Sequence, residues 1–425
     1  MVIFDLLIIT ISNLFGLVAK LLPFWFPLVL MLVAWRVWLH YVNAEFLSSL
    51  KWTLLEIKIP RDVYKSPLAM ELILMNALHI TAGTNTWYQK YWQGRLRAWF
   101  SLEIASIEGR IHFFIRVPAI GGFNYRHLVE AQVYAQYPQA EVMEVKEDYT
   151  ALVPAPPLDD NWSMWGTEYK LTKADPYPIK TYVDYGLDKA AGSLEAEEQI
   201  DPITSILEFM GAIGEGEQMW FQVLVRASTE RYPDKTKWFG KKNIQKVAED
   251  VIKEIMDKYA VTDENGKKTI NQMNVPKHEQ DTIAAIHRQM AKLNFDVGLR
   301  AIYLGKRDKF NPPNIAGLLN LMKVYNSNTL NGFKLSNATA YDYPWQDFRG
   351  LRASKLKREM FFSYKSRAFF YPPQQRLPFI KRRIPFVLST EELATIYHFP
   401  GKVLETPSVR RVDSQKSEPP QNLPV

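Results

Sequence analysis

Ten basic residues stand between Leu351 and Arg383: Arg352, Lys355, Lys357, Arg358, Lys365, Arg367, Arg376, Lys381, Arg382 and Arg383. One acid, Glu359, opposes them, so the segment carries +9 in 33 residues while the whole chain carries +7. Phe361, Phe362, Tyr364, Phe369, Phe370 and Tyr371 are interleaved with these cations. Cations that meet phosphates, with rings that stack on bases, suit nucleic acid. The same composition suits anionic lipid beside a membrane anchor. A third reading is a solvated strand pair whose aromatics are core. Lys355, Lys357, Arg358, Lys365, Arg367, Arg376, Lys381, Arg382 and Arg383 are the candidate contacts to nucleic acid or another anionic partner.

Other chemistries find less material. No G-x-x-x-x-G-K-[ST] occurs, and each Gly-Lys pair (Gly240, Gly266, Gly305, Gly401) lacks the earlier glycine and the following hydroxyl. Without them no loop of backbone N–H groups cradles phosphate. Gly211, Gly214 and Gly216 do not match G-x-G-x-x-G, and a turn between helix and strand explains them. The seven histidines, His40, His79, His112, His127, His278, His287 and His398, include no two at three to five residues' spacing. Asp159-Asp160 in a Pro-rich loop and Glu391-Glu392 at a helix start fit turn and dipole preferences. No G-x-S-x-G elbow is present. Cysteine is absent, which removes disulfides, thiolate metal sites and a cysteine nucleophile together. No catalytic residue, metal or cofactor is expected.

At 425 residues, 47% apolar and 23% charged, the chain is long enough for more than one folded unit. Residues 1–44 read as a membrane anchor. From Leu21 to Ala34 no charge interrupts the run, and Trp35, Trp38 and Tyr41 follow it. A span needs ~20 apolar residues with interfacial aromatics, so residues 21–41 are expected to cross a membrane. Residues 2–19 carry Asp5, Ser12 and Asn13, and read as an in-plane helix or a second span. Arg36, Lys51, Lys58, Arg61 and Lys65 follow the run, so the bulk of the chain is expected in the cytoplasm.

The remainder divides into two α+β halves. Residues 45–153 read strand (Trp52–Ile59), helix capped by Ser66-Pro67, strand (Leu96–Ile107), hairpin through Glu108-Gly109, strand, helix (Tyr125–Tyr137), strand (Glu141–Val145). This is the βαββαβ, ferredoxin-like order. A linker, residues 154–163, leads to a second such unit over 164–350. It holds a strand at Thr167–Thr172, a helix capped by Asp201-Pro202, the strand Gln218–Ala227, and a helical insert at 241–293. The strand Phe295–Leu304 and the helix Ile315–Tyr325 follow. A Trp-Phe pair opens the strand at 99–100 and again at 220–221, which suggests internal duplication. Residues 351–400 read as a basic irregular segment, then a short helix opened by a capping box, Ser389 with Glu392. Residues 401–425 read as a disordered tail. A second aromatic-basic stretch, Trp87–Trp99, fits core packing with a loop contact to a partner as well as nucleic acid.

Several stretches resemble a known family: residues 35–46, 65–78, 99–118, 129–142, 201–226, 295–304 and 386–401 (FVLSTEELATIYHFPG). They are similar to an uncharacterised membrane-anchored bacterial domain that precedes HerA/FtsK-like ATPases of the type IV secretion and conjugation class. That resemblance marks the fold and brings no catalytic residues. In such proteins an ATPase follows the Pro-rich linker, whereas this sequence ends at PPQNLPV. The resemblance therefore implies a P-loop ATPase supplied by another chain, or lost. Membrane segment, charge, fold pattern and resemblance together give the expected reading: a non-catalytic inner-membrane accessory or platform protein that docks on that ATPase, with DNA and a homo-oligomeric ring as its further expected partners. The alternatives are a peripheral scaffold on anionic lipid and a membrane-tethered enzyme with a non-local site.

Overall fold

The computed structural model describes residues 2–60, 65–81, 86–120, 123–154, 161–188, 201–234, 240–262, 268–269, 275–341, 343–371 and 383–400. The chain separates into two compact units. One holds residues 1–50, 82–96 and 373–381, and the other holds the rest.

The smaller unit is built on α1, Val2–Ser49, a single helix of 48 residues with Pro23 and Pro27 inside it. No break at Lys20 divides an in-plane piece from a span. Its stretch Lys20–Ser49 is long and apolar enough to cross a membrane, with mean hydropathy 1.7. Phe24, Leu28, Met31 and Leu32 stand exposed along it, which costs free energy in water and none in lipid.

The larger unit follows as β1 (Lys51–Lys58) and α2 (Leu68–Ile73, prolonged by a wider turn to Leu78). Within the smaller unit comes α3 (Trp87–Tyr91). The sheet resumes with β2 (Phe100–Ile107), β3 (Arg110–Ile120), β4 (Phe123–Asn124), α4 (Arg126–Gln136) and β5 (Glu141–Glu144). The second half has β6 (Trp162–Leu171), α5 (Pro202–Gly211) and β7 (Glu217–Ala227). Its insert holds β8 (Tyr232–Pro233), β9 (Lys241–Lys242), α6 (Ile244–Asp257), β10 (Val261–Thr262), β11 (Lys268–Thr269) and α7 (Lys277–Met290). Then come β12 (Asn294–Lys306), α8 (Pro313–Asn320), β13 (Phe333–Ala338), α9 (Leu351–Lys365), β14 (Phe386–Ser389) and α10 (Thr390–Ile396).

The main strands join one antiparallel sheet, in the order β13-β6-β12-β7-β2-β3-β1-β5. Each half therefore has the same strand order, fourth-first-third-second, with a helix after its first and third main strands. The halves meet where β2 pairs β7, Phe100 opposite Val225 and Ile104 opposite Phe221. Side chains alternate across a strand. Phe100, Leu102 and Ile104, with Phe221, Val223 and Val225, thus enter the core on the sheet face covered by α2, α4, α5 and α10.

Several expectations change in detail. The strand expected from Leu96 starts at Phe100, and β6 starts at Trp162, inside the expected linker. The Ser66 hydroxyl donates to Leu187 O at 2.6 Å and accepts from Leu68 N, at the start of α2, at 3.4 Å. The segment from Leu351, read as irregular, forms α9. The expected tail, 401–425, lies outside the described residues, as do residues 155–160 of the linker.

The capping box forms as expected. Ser389 Oγ accepts from Glu392 N, and Glu392 returns Oε2 to Ser389 N at 2.8 Å. Glu392 Oε1 also accepts from Ile179 N at 3.0 Å. Burial pushes the Glu392 carboxyl up from the ordinary 4.5 to about 7, against those backbone N–H groups and with Glu391 adding to the rise. The folded state then holds the proton more tightly than the unfolded chain. Its penalty is absent below pH 4.5, grows as pH rises, and reaches about 3 kcal/mol above pH 7. We expect stability to fall between pH 5 and 8, and Glu392→Gln to flatten that slope in urea titrations across the range. An unchanged slope in the variant would show that Glu392 is not the responsible group.

Candidate functional site

The second face of the sheet carries a row of polar side chains at one level. Strand register sets Glu103 on β2 opposite Gln222 on β7, Gln222 opposite Arg300 on β12, and Arg300 opposite Glu168 on β6. Glu168 lies opposite Asn337 on β13. Their side chains bond in the same order. Gln222 Nε2 donates to Glu103 Oε1 at 3.1 Å, and Arg300 Nη1 donates to Gln222 Oε1 at 3.1 Å. Arg300 Nη2 reaches Glu168 Oε1 at 3.0 Å, and Asn337 Nδ2 reaches Glu168 Oε2 at 2.8 Å. Glu103, Gln222, Arg300 and Glu168 are at most 3% exposed.

Two arginines of the basic segment close the ends of this ladder. Arg367 sets Nε 2.9 Å from Glu103 Oε1 and Nη2 3.0 Å from Oε2, and pairs with Asp148 as well. Arg383 sets Nε 2.9 Å from Glu168 Oε1. Tyr149 donates to Glu103 Oε2 at 2.7 Å and lies 2.8 Å from the Tyr364 hydroxyl. Burial alone would push the Glu103 carboxyl up. The charge and hydrogen bonds of Arg367, with those of Ser101 and Tyr149, outweigh it and hold the group below the usual range.

The backbone at Arg367 shows what its side chain is there to do. It follows α9 at φ +51°, where glycine is the usual residue. Arg367 N bonds to Tyr364 O at 2.9 Å and Ala368 N to Ser363 O at 2.9 Å, the paired pattern of a helix end. Next in line, Phe369 lies flat over Gly298, where a Cβ would come within 2.5 Å of the ring. Only glycine on β12 admits that approach. Arg226 sits under Phe370, 4.4 Å from its centroid, and pairs with Asp296.

The basic segment thus divides. Met360, Phe361 and Tyr364 on α9 pack against Trp220, Ile302 and Phe114 of the sheet. Arg367 and Arg383 are used internally. Lys357 is half-buried, and burial lowers its ammonium from the ordinary value. Lys365 is half-buried with Nζ 5.4 Å over the Phe361 ring. Arg352, Lys355 and Arg358, at spacing three, stand exposed with Phe362 on one face of α9. Arg376, Lys381 and Arg382 lie outside the described residues.

Sequence reasoning missed a neighbouring group. Trp345, Phe348 and Leu351 are 77%, 72% and 67% exposed just before and at the start of α9. Tyr343 stacks on Trp345 with centroids 4.6 Å apart, and Arg349 lies 5.1 Å over the Phe348 ring. Asp347 caps α9, accepting from Arg352 N at 2.7 Å and Ala353 N at 3.0 Å. The pattern Y-x-W-x-x-F was legible in the sequence, but nothing there said that these rings would stay outside.

Acid–base chemistry has a candidate pair at a cleft. His112 Nδ1 lies 2.7 Å from Glu56 Oε1 in a cleft lined by Ile57, Lys58, Phe113 and Phe399. That lining contains no hydroxyl or thiol to activate. Among the described residues no group of three or more His, Asp or Glu is placed to hold a metal.

A family model described as a domain of unknown function, DUF8128, matches residues 86–412. The chain belongs to that family. A comparison with curated proteins finds no match. The DUF8128 match takes in the whole polar ladder, both clamping arginines and the exposed rings before α9.

Removing one partner of a buried charge pair leaves the other uncompensated, at a cost of about 3–5 kcal/mol. We expect Arg367→Ala to lose that much in denaturant titrations, and Arg358→Ala to stay within about 0.5 kcal/mol of the parent. Arg367→Gly separates backbone from charge: it relieves the positive φ yet should still be strongly destabilising. Parent-like stability of the glycine variant would mean that the ladder does not need this arginine.

Proposed function

We propose that this DUF8128 chain is a membrane-anchored, non-catalytic platform of a type IV secretion-like or conjugative DNA-translocation machine. In this reading α1 holds the protein in the inner membrane with its bulk in the cytoplasm. The two halves are ferredoxin-like units, related by duplication and fused edge to edge through β2 and β7. They dock on a HerA/FtsK-like ATPase, as a homo-oligomeric ring, and present α9 to DNA. The observation that carries the reading is the division of labour in the basic segment. Arg367 and Arg383 fix it to the sheet, while Arg352, Lys355, Arg358 and the rings of Trp345, Phe348 and Phe362 face outward. Cations beside exposed rings suit phosphate contacts and base stacking. The repeated strand order supports the two-unit reading, and the apolar stretch of α1 supports the anchor.

A second reading keeps the anchor and turns the same face to anionic lipid as a peripheral scaffold. The enzyme reading has Glu56–His112 as its best pair and lacks a nucleophile beside it.

The full chain in nanodiscs of zwitterionic lipid should bind DNA with an affinity that falls steeply with salt. Arg352→Ala/Lys355→Ala/Arg358→Ala should lower the log–log salt slope by about 2 to 3, since each phosphate contact contributes ~0.7–0.9. Equal slopes for parent and variant would overturn DNA contact by α9. Binding to anionic liposomes that ignores DNA would favour the scaffold. A reporter fused after Val425 should be active in the cytoplasm, and a periplasmic signal would reverse the orientation.

A further inference from the structure

We infer that residues 86–95 form a second membrane contact, an aromatic clamp lying in the headgroup layer against α1. This rests on the reading of α1 as a span. The segment makes a short helix because Thr86 and Gln89 cap each other: Thr86 Oγ1 accepts from Gln89 N at 3.3 Å, and Gln89 Oε1 accepts from Thr86 N at 3.4 Å. That places Tyr91 and Trp92 together against α1. The Tyr91 ring lies 5.7 Å from that of Trp35, and the Trp92 ring lies 5.3 Å from that of Trp38. Trp38 Nε1 donates to Tyr91 O at 3.0 Å. Gly94, at φ +61°, closes the contact one turn further on, where a Cβ would fall 2.2 Å from Val42 O. The contact is therefore backbone against backbone, and no larger residue fits.

Depth follows from helix geometry. A rise of ~1.5 Å per residue carries ~20 residues through ~30 Å of hydrocarbon. Counted from Leu21, where the uncharged run begins, that length ends within the turns that carry Trp35, Trp38 and Tyr41. Side chains that touch Trp35 and Trp38 share their depth, at the boundary of hydrocarbon and headgroups. The outer surface of the clamp matches that layer. Trp87 is 71% exposed, Tyr88 48% and Trp92 57%. Lys90 is exposed beside them. Amphipathic rings with a neighbouring cation are what the headgroup region accommodates best. Their exposure is unfavourable in water and is relieved there. The clamp would also fix how far α1 can slide or tilt, because a rigid side arm at the interface resists both.

The chain contains no cysteine, so one introduced thiol is a unique labelling site. Nitroxides at Lys90→Cys and Gln93→Cys keep every ring of the clamp. Val29→Cys reports the span, and Leu152→Cys, on the larger unit, reports water. The full chain goes into phosphatidylcholine/phosphatidylglycerol liposomes, and collisional access to oxygen is compared with access to a water-soluble nickel chelate. We expect position 29 to be deep, and positions 90 and 93 to favour oxygen over nickel several-fold relative to position 152. Trp87→Ser/Trp92→Ser should remove that excess at 93. Positions 90 and 93 matching 152 while 29 reads deep would overturn the clamp and leave the anchor standing. No effect of the double serine variant at 93 would also overturn it. Position 29 reading like 152 would instead overturn the span.

Discussion

The larger unit depends on a rule about charge in low dielectric: once Glu103, Arg300 and Glu168 are taken from water, each must be matched. The sheet itself supplies Gln222 and Asn337, but two carboxylates need more than one internal arginine. Arg367 and Arg383 complete the account from a segment far along the chain. That requirement fixes several other features. It keeps an arginine in a left-handed backbone position suited to glycine, draws Phe369 down onto Gly298, and seats α9 over Trp220. Replacing the row by apolar residues would also fold, by the general behaviour of buried ion pairs. What the row adds is register, because a helix held by apolar contacts alone slides more easily than one whose end is tied down by the bidentate Arg367–Glu103 pair.

The two faces of the sheet behave differently with respect to the repeat. On the helix-covered face the halves match position by position: Phe100 with Phe221, Leu102 with Val223, Ile104 with Val225. On the other face the same alignment sets Glu103 against Leu224 and Gln222 against Ser101. Only the tryptophans agree, and even they have different company: Trp99 packs on Trp52 and Tyr371, Trp220 on Tyr149, Phe361 and Tyr364. A symmetric core thus carries an asymmetric surface. The asymmetry is what a single covering segment demands, since α9 and residues 366–371 cross both halves only once.

How much of this could be read beforehand follows from the range of each signal. Local signals were legible: the Asp201 and Ser389 caps, the Glu108-Gly109 hairpin, and the apolar run before Trp35. Strand β13 was not, because FKLSNA lies at the sheet edge with four consecutive exposed residues and offers no alternation. Helix α9 was not either. Its apolar residues gather in the last turns, and its cap comes from Asp347, outside the usual position. The role of Arg367 was out of reach in principle, since Glu103 lies 264 residues away and no spacing rule connects them. The charge count of the segment could not tell that Arg367 and Arg383 are paired inside the fold while Arg352, Lys355 and Arg358 stand exposed.

That division bears on what the outward face can do. A basic helix free to move would lose conformational entropy on meeting a polyanion, and much of its Coulomb gain would be offset. Here the buried side of α9 is held by Met360, Phe361 and Tyr364 and its end is locked through Arg367. Arg352, Lys355 and Arg358 are therefore presented at fixed positions about 4.5 Å apart along the axis, with rings at both ends of the row. On the proposed reading the internal arginines and the external ones act together: the first set lowers the entropic cost that the second would otherwise meet on binding.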